Sequence, residues 1–330
     1  MKIPAFNLIL FSLVMMCACS PRIARQYAVN HIPPKPTRIA VISDLNSSYG
    51  SVHYNETITK VIKELAVIKP DIILCGGDMV AGQKRTLTEE NILQMWKSFK
   101  ETVLDPIQQL NIPFGFTLGN HDASPTFHTD RRIANEFWKE NEAATNLDFA
   151  DSSHYPFYFS YIKENIFFMS WDASAAKVPE EVYHWMKAQL KTDIATKARL
   201  RILVGHLPLY PIVDAKNKPG EVNAAADSSL AFFKENGIDL YISGHQHAFY
   251  PAGKNGFSLL NAGAIGEGER KIMGHHENAR KAYTIIEVPV HSPRSFTYTT
   301  YDPVIDKMID PAALPDSVTG FNGTVIKEIR

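Results

Sequence analysis

Five short apolar runs in this chain each open directly into Asp, Asn or His. Arg38–Ser43 runs into Asp44-Leu45-Asn46, and Asp71–Cys75 into Gly76-Gly77-Asp78. Pro113–Leu118 runs into Gly119-Asn120-His121-Asp122. Leu200–Val204 runs into Gly205-His206, and Asp239–Ser243 into Gly244-His245-Gln246-His247. Short continuous apolar runs read as buried strands, and α/β sheets bind ligands at the carboxyl ends of their strands. One sheet edge therefore has to collect the carboxylates of Asp44 and Asp78, the amides of Asn46 and Asn120, and the rings of His121, His206, His245 and His247. A lone Gly-Asp or Gly-His is a common surface turn. The ordered set is what constrains the fold.

Such a cluster would repel itself and leave buried polar groups without partners. Bound metal resolves the conflict. Mixed imidazole and carboxylate donors suit zinc, manganese or iron. The donors are too many for one tetrahedral ion, and two ions sharing one carboxylate fit the count. His245 and His247 are two residues apart, a spacing that presents both to the same side of an extended segment.

Between the runs the chain reads as helix. Glu56–Ile68 has helical spacing and stops before Pro70, and Thr88 caps a helix over Thr88–Leu104. Pro179–Lys191 and Asp227–Asn236 complete the helices. Phe157–Tyr161 and Asn165–Trp171 form a hairpin around Lys163-Glu164. Further strands are expected at Phe257–Asn261, Ala282–Pro289 and Ser295–Tyr301. Residues 123–156 read as an irregular polar insertion, and residues 311–330 carry no assignable role. Helices alternating with apolar strands place the chain in the α/β class, with mixed sheets covered by helices.

The amino terminus reads as an export signal. Lys2 is followed by an apolar run from Leu8 to Met16, then by Cys17-Ala18-Cys19-Ser20. The run is shorter than the ~20 residues of a membrane span and matches a signal-peptide core. Cys19 after Ala18 resembles a bacterial lipoprotein cleavage box, with lipid on Cys19. The expected organisation is a signal over 1–19, a Pro-rich tether over 20–37 and one domain over 38–330. That places the protein in the bacterial cell envelope, touching membrane through the lipid alone. Cys75 lies in an apolar run and is expected in the core, so no disulfide framework supports the fold. Lys+Arg minus Asp+Glu is 34 − 35 = −1, a balance that argues against a dedicated nucleic-acid binder. The sequence carries no signal of oligomeric state.

The ordered set resembles the calcineurin-like metallophosphoesterase superfamily, over roughly residues 38–290. The resemblance implies a four-layer α/β/β/α sandwich of two mixed β-sheets. It implies that Asp44 and His247 hold one divalent ion and that Asn120, His206 and His245 hold a second, with Asp78 bridging. The ions would be Mn, Fe, Zn or Mg, with a hydroxide bridging them as nucleophile. His121 would be the general acid, oriented by Asp122. The first motif departs from the family, because Asp44-Leu45-Asn46 puts an amide where Asp-x-His is usual. An oxygen ligand at Asn46 would weaken that site for zinc or iron and tilt it toward manganese or magnesium. Purple-acid-type relatives carry a Tyr three residues after the Gly-Asp, and this chain has Ala81 there, which disfavours that subgroup. The substrate implied is a phosphoester, either a small molecule or an envelope component. The alternative is a non-catalytic binder of metal and phosphorylated ligand, weakened at Asn46.

Overall fold

The computed structural model describes residues 35–330. The expected signal, Cys19 and all but the end of the tether lie outside the described residues. Along the chain the strands are β1 Thr37–Ile42, β2 Ile72–Cys75, β3 Phe114–Phe116, β4 Asp148–His154, β5 Tyr158–Lys163, β6 Ile166–Ser170, β7 Leu200–Val204 and β8 Leu240–Ser243. They continue with β9 Phe249–Lys254, β10 Phe257–Ala262, β11 Tyr283–Val288, β12 Thr297–Asp302, β13 Lys307–Met308, β14 Ser317–Gly320 and β15 Gly323–Lys327. The helices are α1 Glu56–Ile68, α2 Glu89–Phe99, α3 Asp105–Gln109, α4 Asn120–Ala123, α5 His128–Glu140, α6 Glu180–Gln189, α7 Asp193–Lys197 and α8 Ala226–Glu235.

Two mixed sheets result. One has six strands in the order β13-β12-β11-β1-β2-β3, the other nine in the order β14-β15-β9-β10-β8-β7-β6-β5-β4. β1, β2 and β3 run parallel. So do β6, β7, β8 and β10. Alternation along the nine-stranded sheet sorts its side chains into two cores. Ile166 and Phe168, Ile202 and Val204, and Leu240 and Ile242 join the residues of the six-stranded sheet and of α1, α2 and α5. Phe167, Met169, Leu203 and Tyr241 face Val182 and Met186 of α6 and Leu230 and Phe233 of α8. The sheets therefore pack on each other and helices cover them, which is the expected α/β sandwich.

Local signals explain most elements. Asn55 caps α1 by accepting from Ile58 N, and Lys69 ends it in the left-handed region at φ 52°. Thr88 and Asn91 form a reciprocal capping box on α2. Glu164 and Asn165, at φ 49° and 57°, make the tight turn between β5 and β6.

Two expectations are corrected. Residues 123–156 are not irregular: they include α5 and β4. The apolar residues of α5 are Ile133, Ala134, Phe137 and Trp138, a narrow stripe on a polar helix that a composition reading passes over. Trp138 stacks on Phe116 with centroids 3.7 Å apart, and Phe137 on Trp96 at 4.6 Å. The carboxyl-terminal stretch also has a place. β14 and β15 form a hairpin that extends the nine-stranded sheet, with Ile326 opposite Gly253 and Lys327 opposite Ala252.

Candidate metal centre

The parallel strands of both sheets deliver their carboxyl ends to one edge. β1 leads to Asp44, β2 to Asp78 and β3 to Asn120; β7 leads to His206, and β8 to His245 and His247. Asp44, Asp78, His206, His245 and His247 are all buried. They form two donor groups, Asp78 with His206 and His245, and Asp44 with Asp78 and His247, each with ligand atoms within 4.8 Å of one another. Asp78 belongs to both.

The backbone is bent to achieve this. Asp44, Asp78, His245 and His247 have φ of 51°, 53°, 67° and 49°, in the left-handed region. Such residues cost about 1–3 kcal/mol each and persist where the surroundings over-determine them. Close approach is equally tight at Gly119, where a Cβ would lie 2.1 Å from Asp78 Oδ1.

Hydrogen bonds fix the rings. His206 Nδ1 faces Gly76 O at 2.7 Å, leaving Nε2 3.2 Å from Asp78 Oδ2 and 3.0 Å from Asn120 Oδ1. His247 Nδ1 faces Glu267 O at 2.9 Å, leaving Nε2 3.2 Å from Asp44 Oδ1. Asp44 also accepts from Ser43 Oγ at 2.7 Å and from His245 N at 3.0 Å. His121 Nδ1 faces Gly82 O at 3.1 Å, and its Nε2 lies 3.9 Å from Asp78 Oδ2.

Charge follows the geometry. Burial alone would raise the Asp78 carboxyl, but the imidazoles of His206 and His121 outweigh it and hold the group well below the usual carboxylate range. Asp44 is also lowered, against burial, chiefly by His247. Burial opposes charge on His206, yet the Asp78 carboxylate lifts it to about 9. Burial pushes His245 down to about 3, so this ring is neutral. Ionised carboxylates beside imidazoles, sealed from water, are a donor set that fits divalent metal.

The structure thus brings together Asp44, Asp78, Asn120, His121, His206, His245 and His247. Asn46 is buried, and its Nδ2 donates to Val80 O at 3.3 Å. The expected role of Asp122 is corrected. Its Oδ1 accepts from Met79 N at 2.8 Å and Val80 N at 2.9 Å, and its Oδ2 from Gly119 N at 2.7 Å. It braces the turns that carry Asp78 and Asn120, while Gly82 O orients the His121 ring. Sequence reasoning passed over two further residues. Gln83 accepts from Asn120 Nδ2 at 2.6 Å, turning the amide oxygen toward His206. Glu221 Oε2 lies 2.8 Å from His245 Nε2. Both sit in loops without periodicity; only the closeness of Gln83 to Asp78 offered a signal. Tyr49, half exposed, lies with its ring centroid 5.0 Å from that of His121.

The sequence pattern of the calcineurin-like phosphoesterases matches residues 37–249. Purple acid phosphatase 21 of Arabidopsis thaliana is 25% identical over 221 residues, 66% of this chain and 46% of that protein. The chain thus spans about half the length of this curated relative. Among solved structures, the purple acid phosphatase PPD1 of yellow lupin superposes with a TM-score of 0.59 at 13% identity, covering 83% of this chain and 52% of that one. GAP50, the anchor in the inner membrane complex of Plasmodium, superposes with a TM-score of 0.57 at 14% identity, covering 90% of each chain. These structural likenesses show the fold alone. With the pattern spanning most of the chain, the chain belongs to the calcineurin-like phosphoesterase family.

Proposed function

We propose that this metallophosphoesterase hydrolyses phosphoesters at a centre of two divalent ions. One observation carries the reading: Asp78 is common to two donor groups, each within 4.8 Å. Asp44, His247 and Asn46 would hold one ion, and Asn120, His206 and His245 the other, with Asp78 shared. For Asn46, whose Nδ2 donates to Val80 O, ligation would be through the amide oxygen. When bound, two such ions supply Lewis-acid catalysis and an activated water near neutral pH.

The chain's own residues do the rest. Gln83 holds the Asn120 amide so that oxygen, not nitrogen, faces His206. His121 donates from Nδ1 to Gly82 O, which keeps the ring in place and turns Nε2 to the substrate side; as the doubly protonated imidazolium, the ring can give the Nε2 proton to the departing oxygen and keep its hold on Gly82 O. Asp122 keeps the two turns in register through three backbone N–H groups. The substrate class is a phosphoester, small or part of the envelope. Lipid attachment at Cys19 would set the site in the bacterial cell envelope; the sequence of residues 1–20 alone supports this.

The test is hydrolysis of p-nitrophenyl phosphate and bis-p-nitrophenyl phosphate by the full chain, after chelation and with Mn, Zn, Fe or Mg restored. Turnover should return with metal and be lost in Asp78→Ala, which removes the carboxylate common to both donor groups. Bound metal without turnover on any ester would overturn the hydrolytic reading in favour of a binder.

A further inference from the structure

The three imidazoles of the two donor groups are not held alike. His206 and His247 each face a backbone carbonyl, Gly76 O and Glu267 O, through Nδ1. His245 alone faces a carboxylate from outside the two donor groups: its Nε2 lies 2.8 Å from Glu221 Oε2. A neutral imidazole has one N–H and one lone pair, and a carboxylate accepts only. Nε2 therefore carries the proton, and Nδ1 is left with the lone pair that His245 can offer as a member of the donor group with Asp78 and His206.

Glu221 is itself fixed. Lys216 Nζ lies 2.7 Å from the same Oε2, and Lys218 Nζ 3.9 Å from Oε1. The loop that carries it is fastened at several points. Gln246, between the two histidines of the β8 turn, accepts through Oε1 from Ile212 N at 3.0 Å and Val213 N at 3.3 Å. Asn223 N donates to Pro208 O at 2.9 Å. Phe321 N donates to Asn217 Oδ1 at 2.8 Å, and Asn322 Nδ2 to Leu209 O at 2.9 Å. A loop tied on both sides of Glu221 places its carboxylate where the ring needs it.

We propose that Glu221, set by Lys216, is the positioning residue of His245 and selectively strengthens the ion site of Asp78, Asn120, His206 and His245. The carboxylate fixes the ring's tautomer and angle and makes Nδ1 a better donor, as charged partners of metal-bound histidines do. The site of Asp44 and His247 has only a carbonyl in that place. The two sites should therefore fill in order, with the Glu221-supported one first. This rests on the reading that His245 ligates metal.

The experiment is calorimetric titration of Zn or Mn into the metal-stripped full chain, wild type against Glu221→Ala, Glu221→Gln and His245→Ala. Wild type should show two binding steps. Glu221→Ala should weaken the tighter step by about 10- to 100-fold and leave the other unmoved. Glu221→Gln, which keeps an acceptor oxygen, should fall between. A merely structural role would lower the melting temperature of the metal-free variants while both affinities stayed at wild type, and that result overturns the proposal. Should the alanine variant not fold, the glutamine variant decides in the same way, with unchanged affinities as the overturning outcome. His245→Ala separates the two levels. If it binds both ions as wild type does, the ligand reading fails; if it loses the tighter step while the Glu221 variants keep it, only the positioning role fails.

Discussion

Asp78 Oδ2 and His206 Nε2 lie 3.2 Å apart although β2 and β7 belong to different sheets. The site is built across the seam of the sandwich, so anything that binds both residues also ties the sheets together. Metal should therefore raise the melting temperature of the full chain, with about 2.7 kcal/mol of stabilisation at a hundredfold excess over Kd. Differential scanning calorimetry with and without chelator measures this. An unchanged midpoint would mean that no ion bridges the sheets.

His121 should matter in proportion to the difficulty of the leaving group. A proton donor contributes about 10²- to 10⁴-fold, and least where the departing oxygen needs no proton. In His121→Ala, turnover of an alkyl phosphate should fall much further than that of p-nitrophenyl phosphate. Equal losses on both would assign His121 to binding.

The metal-free site should titrate through His206. Its folded value of about 9 exceeds the unfolded 6.5. Its pairing with Asp78 therefore stabilises the metal-free fold fully below pH 6.5, and that contribution is lost as pH rises through about 9. Metal must displace the proton, so binding near pH 7.5 should release about one proton, read from calorimetry in buffers of different ionisation heat. Binding heats independent of buffer would contradict a protonated His206.

Gly119→Ala should separate packing from chemistry. The new methyl would meet Asp78 Oδ1 at 2.1 Å. Overpacking of this kind costs about 1–3 kcal/mol and pushes the shared carboxylate off its position. Urea denaturation should show the loss, and metal titration a weakening of both sites. A variant with wild-type stability and affinity would show that the turn yields freely.

Asn46→His should restore an imidazole to the first motif and raise zinc affinity relative to manganese, since nitrogen is the softer ligand. Equal Zn and Mn affinities in variant and wild type would remove Asn46 from the ligand set.

The strand-end residues were legible because each follows an apolar run, and a run that must be buried fixes where its end emerges. Asp44, Asp78, Asn120, His206, His245 and His247 all followed from that logic. Asp122 shows its limit. The resemblance assigned it to orienting His121, but its carboxylate turns the other way, to Met79, Val80 and Gly119. Glu221 was hidden for another reason. It is 24 residues before His245 in a loop with no periodic pattern, and only tertiary closure brings the two together. The stripe of α5 was missed because Ile133, Ala134, Phe137 and Trp138 are outnumbered by polar residues on the same helix.

The placement of β11 bears on where the chain could be shortened. The family pattern ends at residue 249, which makes the remaining stretch look dispensable. Yet β11 lies beside β1 throughout, from Thr37 opposite Val288 to Val41 opposite Thr284. The strand that leads to Asp44 thus borrows one of its two neighbours from the far side of the family boundary. A chain trimmed at that boundary would retain every donor residue by name while turning an interior strand into a raw edge beneath the first of them.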